Sequence, residues 1–509
     1  MGTGFRASMG WLHTWAGVVL GGLLFAIFWM GTLSVFDREI DRWMAPMTRL
    51  APTGEAAAVE ALRASYEAAA VAKASSWFAQ LPTERAPVLQ VTWREGTRQL
   101  VRLFDPATGA ALPDPGTWAG TGFLYPFHYM LHVRLGYWIV GMAGMAMLLL
   151  CVSGVVIHRK IFTDFFTFRA DKQPRRLVLD LHNVTGVLGL PFHLMITLSG
   201  VIIFFGVYFP GTIQFAYGDE GRAFAREAYG NYDRPRLGRP GALASLDAIT
   251  MEASRLWEGE TPRYLFVRHP GDAAAVVQVA RHGEDRVAGR SDIAYFDATT
   301  GALLHQRIAP QPVLATQRFI AGLHLIQFRH WTLRWVYFVL GLAGCAVIAT
   351  GYLFWLESRK KRDGGLGPRG VRLVEAITVG SVSGIVIATL AFFVANRLLP
   401  LGMVFLGEGR ASLEMWSFYL VWVATFAHAG LRPCRVWIEQ CGAISTLAFI
   451  AVLLNWITTG DHLLRSLAEP PLWGVGGMDV LLLGVAAMAG WAALALGRRA
   501  RATSLRPAR

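Results

Sequence analysis

Leu12-His13-Thr14-Trp15-Ala16-Gly17 opens one long apolar run of this chain, and Leu181-His182-Asn183-Val184-Thr185-Gly186 opens another. Each carries a Leu-His pair with glycine four residues after the histidine, at the head of a stretch long enough to cross a bilayer, which takes about 20 apolar residues. Histidine is costly there and is by default a mark of function. Two further runs begin Leu131-His132 and Leu323-His324, and their interiors match as Gly141-Met142-Ala143-Gly144 and Gly341-Leu342-Ala343-Gly344. The first four runs therefore read as one two-span unit used twice, a common membrane arrangement.

The whole composition agrees. Of 509 residues 54% are hydrophobic and only 16% charged, and the mean hydropathy is +0.39, which is membrane-protein usage. Eight stretches qualify as spans, near 11–36, 124–157, 181–208, 333–356, 374–396, 413–431, 437–457 and 476–497. The first is too long for a cleaved signal peptide, and no small-residue cleavage site follows Phe36. A net charge of +13 would suit nucleic acid, but its placement argues for topology. Arg159, Lys160, Arg169, Lys172, Arg175 and Arg176 follow the second span, and Arg359, Lys360, Lys361 and Arg362 the fourth. Arg432 and Arg435 follow the sixth, and Arg498, Arg499, Arg501, Arg506 and Arg509 close the chain. Every second connection is basic, the positive-inside pattern, so both termini are expected in the cytoplasm and the long loops 37–123 and 209–320 outside.

Cys151, Cys345, Cys434 and Cys441 lie in spans or beside a cytoplasmic loop and imply no disulfide framework. Without a CxxCH sequence any haem is non-covalent and b-type. Without a glycine-rich dinucleotide or flavin fingerprint any electron donor is a separate molecule. The absence of Ser-His-Asp, HExxH and Walker patterns disfavours protease and ATPase functions.

The outer loops repeat as well. Each has a helical stretch (56–73; 246–257), then β-type alternation (88–93; 264–268). Each continues into a turn signature, Phe104-Asp105-Pro106-Ala107-Thr108-Gly109 and Phe296-Asp297-Ala298-Thr299-Thr300-Gly301. These motifs, with Ser153-Gly154-Val155-Val156-Ile157-His158-Arg159-Lys160-Ile161-Phe162, Asp180-Leu181-His182-Asn183 and Pro191-Phe192-His193-Leu194-Met195-Ile196-Thr197, resemble the PepSY-associated transmembrane family, also called iron-regulated membrane proteins, over about residues 5–360. That resemblance implies inner-membrane ferric-siderophore reductases holding two b haems, with relatives fused to flavin-reductase modules. Residues 361–509 lie beyond it and are expected to add four spans.

Six histidines are candidate haem-binding residues: His13, His182, His132, His324, His193 and His128. Repeat logic pairs His13 with His182 at the cytoplasmic level and His132 with His324 near the outer face, as axial iron ligands. The glycines after His13 and His182 would let a flat porphyrin approach. The plain alternative for each is an interfacial histidine bonded to headgroups or a carbonyl. His128, one turn before His132, is a rival ligand or a proton donor to substrate, and His330 competes with His324. His193 stands eleven residues, about 16 Å of helix, beyond His182. The two repeat-derived pairs would be about 30 Å apart, long for tunnelling, and a haem on His193 would shorten the gap. His158 suits the cytoplasmic interface or a propionate clamp. His428 reads as structural, and Arg134, Arg329 and Arg334 could face propionates.

The expected fold is an all-α membrane bundle of about eight helices with two small α+β PepSY-like periplasmic domains. Its divisions are 1–36, 37–123, 124–208, 209–320, 321–360 and 361–509. The expected function is a b-type di-haem oxidoreductase of the inner membrane that passes electrons from a flavoprotein or quinol donor to a ferric siderophore, with no acid-base catalytic residue of its own. A non-catalytic membrane scaffold, or a transporter of a siderophore or small molecule, are the rival classes; only the reductase must carry haem.

Overall fold

The computed structural model describes residues 4–52, 59–96, 98–158, 174–218, 221–281, 283–288, 292–307, 312–359, 367–433 and 435–504. Arg159-Lys160-Ile161-Phe162, Arg169, Lys172, His282, Lys360, Lys361, Arg362, Cys434, Arg506 and Arg509 lie outside them. The chain divides into two compact units: residues 1–45, 116–201 and 332–509 form one, and residues 46–115 and 202–331 the other.

The first unit is helical. It holds α1 (Phe5–Ser34), α2 (Asp37–Met44), α3 (Gly136–Ile157), α4 (Pro174–Ile203), α5 (Trp331–Arg359), α6 (Gly367–Leu398), α7 (Arg410–Leu431), α8 (Val436–Thr459) and α9 (Trp473–Ser504). Seven of these, all but α2 and α7, contain a stretch long and apolar enough to cross a membrane. The expected span near 413–431 is present as α7, a 22-residue helix. Glu414, Ser417, Thr425 and His428 lower its hydropathy below that of the other seven. α6 is the hub of its end of the unit: 78% of its apolar window is buried, against 39% or less in the other six.

The expected single span 124–157 is two helices. Tyr125–Met130 ends at Leu131 and His132, both with positive φ, and α3 starts afresh at Gly136. A side chain at Gly136 is excluded, because a Cβ there would lie 1.6 Å from the Met130 carbonyl oxygen. Phe123 and Phe127 carry this break into the core. The Phe123 ring centre lies 4.8 Å from that of Phe392 of α6 and 5.2 Å from that of Phe418 of α7, so the helices after residue 361 share one apolar core with α1 and α2. Buried polar groups join the same elements: the Trp43 indole donates to Asp479 at 2.8 Å, and Asn455 donates to that carboxylate at 3.2 Å.

The second unit is one seven-stranded antiparallel sheet, in place of the two separate small domains expected. Its strands are β1 (Ser76–Gln80), β2 (Leu89–Glu95), β3 (Arg98–Phe104), β4 (Pro262–Arg268), β5 (Val276–Arg281), β6 (Ile293–Asp297) and β7 (Leu303–Arg307), in the order β3-β2-β1-β4-β5-β6-β7. Each long loop supplies a helix and a meander, and the halves join where Trp77 of β1 pairs with Val267 of β4. The alternating positions Trp77, Ala79, Leu89, Val91, Leu265, Val267, Val277, Val279, Ala294 and Phe296 face one core with helices Val59–Val71 and Leu246–Leu256.

The two turn signatures fold alike. Gly109 and Gly301 take φ of 73° and 75°, their N–H groups return to the Asp105 and Asp297 carbonyls, and each Asp carboxylate accepts from the backbone two residues on, at 2.8 Å. Burial pushes the Asp297 carboxyl up, but the Thr299 hydroxyl, Arg234 and the N–H groups of Thr299 and Thr300 outweigh it and hold the group well below the carboxylate range. The unit boundaries also move from the expected ones: 37–45 and 116–123 belong with the helices, and 202–208 and 321–331 with the sheet.

Candidate functional site

α1 and α4 bring His13 and His182 together, with ring centres 6.3 Å apart and planes at 80°. The residues behind them come from the other two helices of the repeat and are alike. His13 Nδ1 meets Ser153 Oγ of α3 at 3.0 Å, and Ser153 itself donates to the Leu150 carbonyl at 3.2 Å. That hydroxyl is thereby left as an acceptor, so the His13 proton sits on Nδ1. His182 Nδ1 meets the Val347 carbonyl of α5 at 2.9 Å, which can only accept, with Thr350 Oγ1 at 3.4 Å. In both rings the lone pair is therefore on Nε2. A metal-binding histidine needs this pattern, with one nitrogen anchored and the other available.

Glycines keep the rings close to backbone. A Cβ at Gly154 would lie 3.4 Å from His13 Cε1, and one at Gly351 would lie 3.3 Å from His182 Cε1. Beside the histidines on their own helices, a Cβ at Gly17 would meet its nearest atom at 3.9 Å and one at Gly186 would meet nothing within 4 Å. His158 closes α3, and its buried Nδ1 has no hydrogen-bond partner among the described residues.

His132 belongs to the helical unit and His324 to helix Pro312–Leu325 of the sheet unit. The His132 Nε2 meets the Phe123 carbonyl at 2.9 Å and its ring stacks on Phe123 at 5.1 Å. His128 and His193 instead both pack on α1 at Ile27–Gly31. His128 Nδ1 meets the Ile27 carbonyl at 2.8 Å, and a Cβ at Gly31 would lie 2.7 Å from its ring. His193 is 2% exposed, sits edge-on to Phe28 at 5.9 Å, and its Nε2 reaches the Leu340 carbonyl of α5 at 3.3 Å. Pro191, two residues earlier, removes one backbone donor from α4 at this level. His330 is exposed between the Pro312–Leu325 helix and α5.

Of the arginines expected near propionates, Arg334 is 1% exposed and donates to the Val35 carbonyl at 2.6 Å, while Arg134 and Arg329 are exposed. His428 ties α7 to α8 through Glu439 at 2.8 Å, with Arg432 on the same carboxylate at 2.6 Å, a structural clasp. Sequence reasoning missed Ser153 and Thr350 as anchors. Their signal is a hydroxyl residue followed by glycine in both halves, Ser153-Gly154 and Thr350-Gly351. These dipeptides are 350 − 153 = 197 residues apart, against 341 − 141 = 200 for the Gly-Met-Ala-Gly and Gly-Leu-Ala-Gly motifs. The repeat slips by about one helical turn between the two.

A protein of Pseudomonas aeruginosa, itself described as uncharacterized, is 28% identical over 343 residues, covering 63% of this chain and 84% of that relative. The family model for the PepSY-associated TM region matches residues 10–358, from just before His13 to the end of α5, and leaves α6–α9 outside. With the duplicated helix pairs and the duplicated sheet on one continuous match, this chain belongs to the PepSY-associated TM region family.

Proposed function

We propose that this protein is a di-haem b-type oxidoreductase of the bacterial inner membrane, with both termini cytoplasmic, that carries electrons outward to reduce ferric iron held by a siderophore. The observation that carries the reading is the His13–His182 pair. The two rings stand 6.3 Å apart on helices that match in the repeat, and together they would hold one haem iron. Both rings carry the lone pair on Nε2, and both have open backbone at Gly17 and Gly186. Haem b fits this donor set, and when bound it would supply one-electron transfer.

The chain's own part is to fix and orient. Ser153 and the Val347 carbonyl set the tautomers, Gly154 and Gly351 set ring depth, and His158 suits a propionate. For the second haem His128 and His193 are better supported than His132 and His324. They share one unit and one level of α1. His193 is eleven residues from His182, so the two sites would be about 16 Å apart along α4 rather than about 30 Å. Reduction to ferrous iron weakens hard oxygen chelation and releases the metal from a siderophore. The donor is a separate flavoprotein or quinol.

The test is a dithionite-reduced minus oxidised visible spectrum of the detergent-purified protein, with haem quantified per chain. Sharp b-type bands at about two haems per chain are expected. A well-folded preparation without haem overturns the reading.

A further inference from the structure

The uncharged stretch that contains most of α4 outlasts the membrane. Between Asp180 and Asp219 the chain has no Asp, Glu, Lys or Arg, a run of 218 − 180 = 38 residues. As one helix this run would be about 57 Å long, almost twice the apolar thickness of a bilayer. α4 stops instead at Ile203, and the surplus continues as two short helices, Phe205–Tyr208 and Pro210–Tyr217, with breaks at Phe204 and Phe209. No residue of either helix is buried. Phe205 is 49% exposed, Phe209 53% and Phe215 96%. Ring contacts of the two helices are local, Phe205 with Phe209 at 5.2 Å and Tyr217 with Phe224 at 5.3 Å.

The first repeat shows what this place in the chain becomes under a protein cover. His13 and His182 are 182 − 13 = 169 residues apart, which carries 204–217 back onto 35–48. There the chain has Asp37, Arg38, Glu39, Asp41 and Arg42, and α2 is packed under later helices. Trp43 lies 5.6 Å from Phe393 of α6 and donates to Asp479 of α9 at 2.8 Å. Residues 204–217 have no charged side chain, and their phenylalanines stand bare.

Contiguous bare apolar surface of this kind marks an interaction face. The lack of charge, and the direct continuation from a membrane span, select lipid as the occupant. The stretch is too short to cross a bilayer, about 21 Å even as a continuous helix. Nor can it lie in the hydrocarbon, because the backbone breaks at Phe204 and Phe209 leave groups that only water or headgroups can satisfy there. Phenylalanine and tyrosine are suited to the boundary between headgroups and acyl chains.

We propose that residues 204–217 form an in-plane foot, seated at headgroup depth in the leaflet where α4 ends, with phospholipid as its partner. The foot requires that α4 cross the membrane and requires no haem, so it stands or falls separately from the redox reading.

The test uses the full-length protein, one copy per lipid nanodisc, with Cys434→Ser and Cys441→Ser leaving only the buried Cys151 and Cys345. Phe209→Cys and Phe215→Cys are labelled in turn with an environment-sensitive fluorophore. Met251→Cys, 66% exposed on helix Leu246–Leu256, is the control away from the foot. The discs carry lipid with a nitroxide either near the headgroup or near the chain end. Labels at 209 and 215 are expected to emit blue-shifted and to lose more fluorescence to the shallow nitroxide than to the deep one, while the label at 251 responds to neither. Val207→Cys, also exposed, takes the place of either variant that fails to fold. Emission as in water, with no quenching beyond the control, overturns the proposal. So does a blue-shifted label that neither nitroxide reaches, since protein would then cover the face. Stronger quenching from the chain end also overturns it, by burying the segment in the hydrocarbon.

Discussion

Ser153→Ala tests the inner site through an atom that would never touch the metal. Ser153 is fully buried, and its hydroxyl links His13 Nδ1 at 3.0 Å to the Leu150 carbonyl at 3.2 Å. Alanine removes one oxygen and leaves a void too small for water, so stability should fall by only about 1 kcal/mol. The effect on the ring is larger, because His13 loses the hydroxyl that meets its Nδ1 and keeps only the Leu150 carbonyl. Removing such a support lowers metal affinity by about 10- to 100-fold, or about 1.4–2.8 kcal/mol. His182 supplies an internal contrast: its Nδ1 is held by the Val347 carbonyl at 2.9 Å, and Thr350 Oγ1 is farther, at 3.4 Å. The isosteric Thr350→Val should therefore change haem retention by less than about threefold. The assay is haem per purified chain, with the rate of haem transfer to an excess of an apo-acceptor. Equal losses in the two variants, or no loss in Ser153→Ala while His13→Ala abolishes one haem, would refute the tautomer argument.

Three further outcomes follow from the geometry. Gly136→Ala should abolish accumulation of folded protein, because its Cβ would lie 1.6 Å from the Met130 carbonyl oxygen; recovery of a wild-type melting curve would contradict the helix break at Leu131-His132. Asp479→Ala removes the carboxylate that accepts from the Trp43 indole and the Asn455 amide and should destabilise the helical unit by about 2–6 kcal/mol, about 1–3 for each donor, read as the unfolding midpoint in detergent. The depressed carboxyl of Asp297 means that the folded sheet holds this group ionised, so its contribution is present above the unfolded value of about 3.9 and is lost as pH falls below it. Asp297→Asn should flatten the acid limb of the thermal stability curve, and an unchanged limb would show that the ionised form does not matter.

The sequence carried the spans and the duplication well, because long apolar runs and repeated Leu-His and Asp-x-x-Thr-Gly motifs are local signals. Helices Val59–Val71 and Leu246–Leu256, strands β2 and β4 and both turns lie where periodicity and turn chemistry put them. What escaped it is non-local. Pairing of β1 with β4 joins residues almost two hundred positions apart, so two expected domains become one sheet. The break at Leu131-His132 is invisible to hydropathy, since both residues are tolerated in a span and only the backbone conformation separates them. The inner pair was legible because both partners sit at the same place in the repeat. Ser153 was not, since its counterpart Thr350 is offset by three residues from the rest of the repeat.

The outer histidines show where repeat logic reaches its limit. Counting eleven residues from His13, as from His182 to His193, arrives at Leu24, and counting four back from His324, as from His132 to His128, arrives at Ile320. Neither position is histidine, so a His128/His193 site would break the two-fold symmetry that a His13/His182 site obeys. The packing favours the asymmetric choice. Leu24 is 2% exposed in an apolar cluster with Ala143 and Met147, and the single helix α1 presents Ile27 and Gly31 to His128 and Phe28 to His193. Gly344 permits this approach, since a Cβ there would lie 2.5 Å from Phe28 Cδ1 and 3.2 Å from His193 Nε2. Gly344→Ala should therefore displace Phe28 and His193 together, at an overpacking cost of about 1–3 kcal/mol. It should shift the spectrum and potential of one haem while leaving the His13/His182 haem as in wild type. If Gly344→Ala is silent and His324→Ala removes a haem, the symmetric pairing is restored and the packing argument fails.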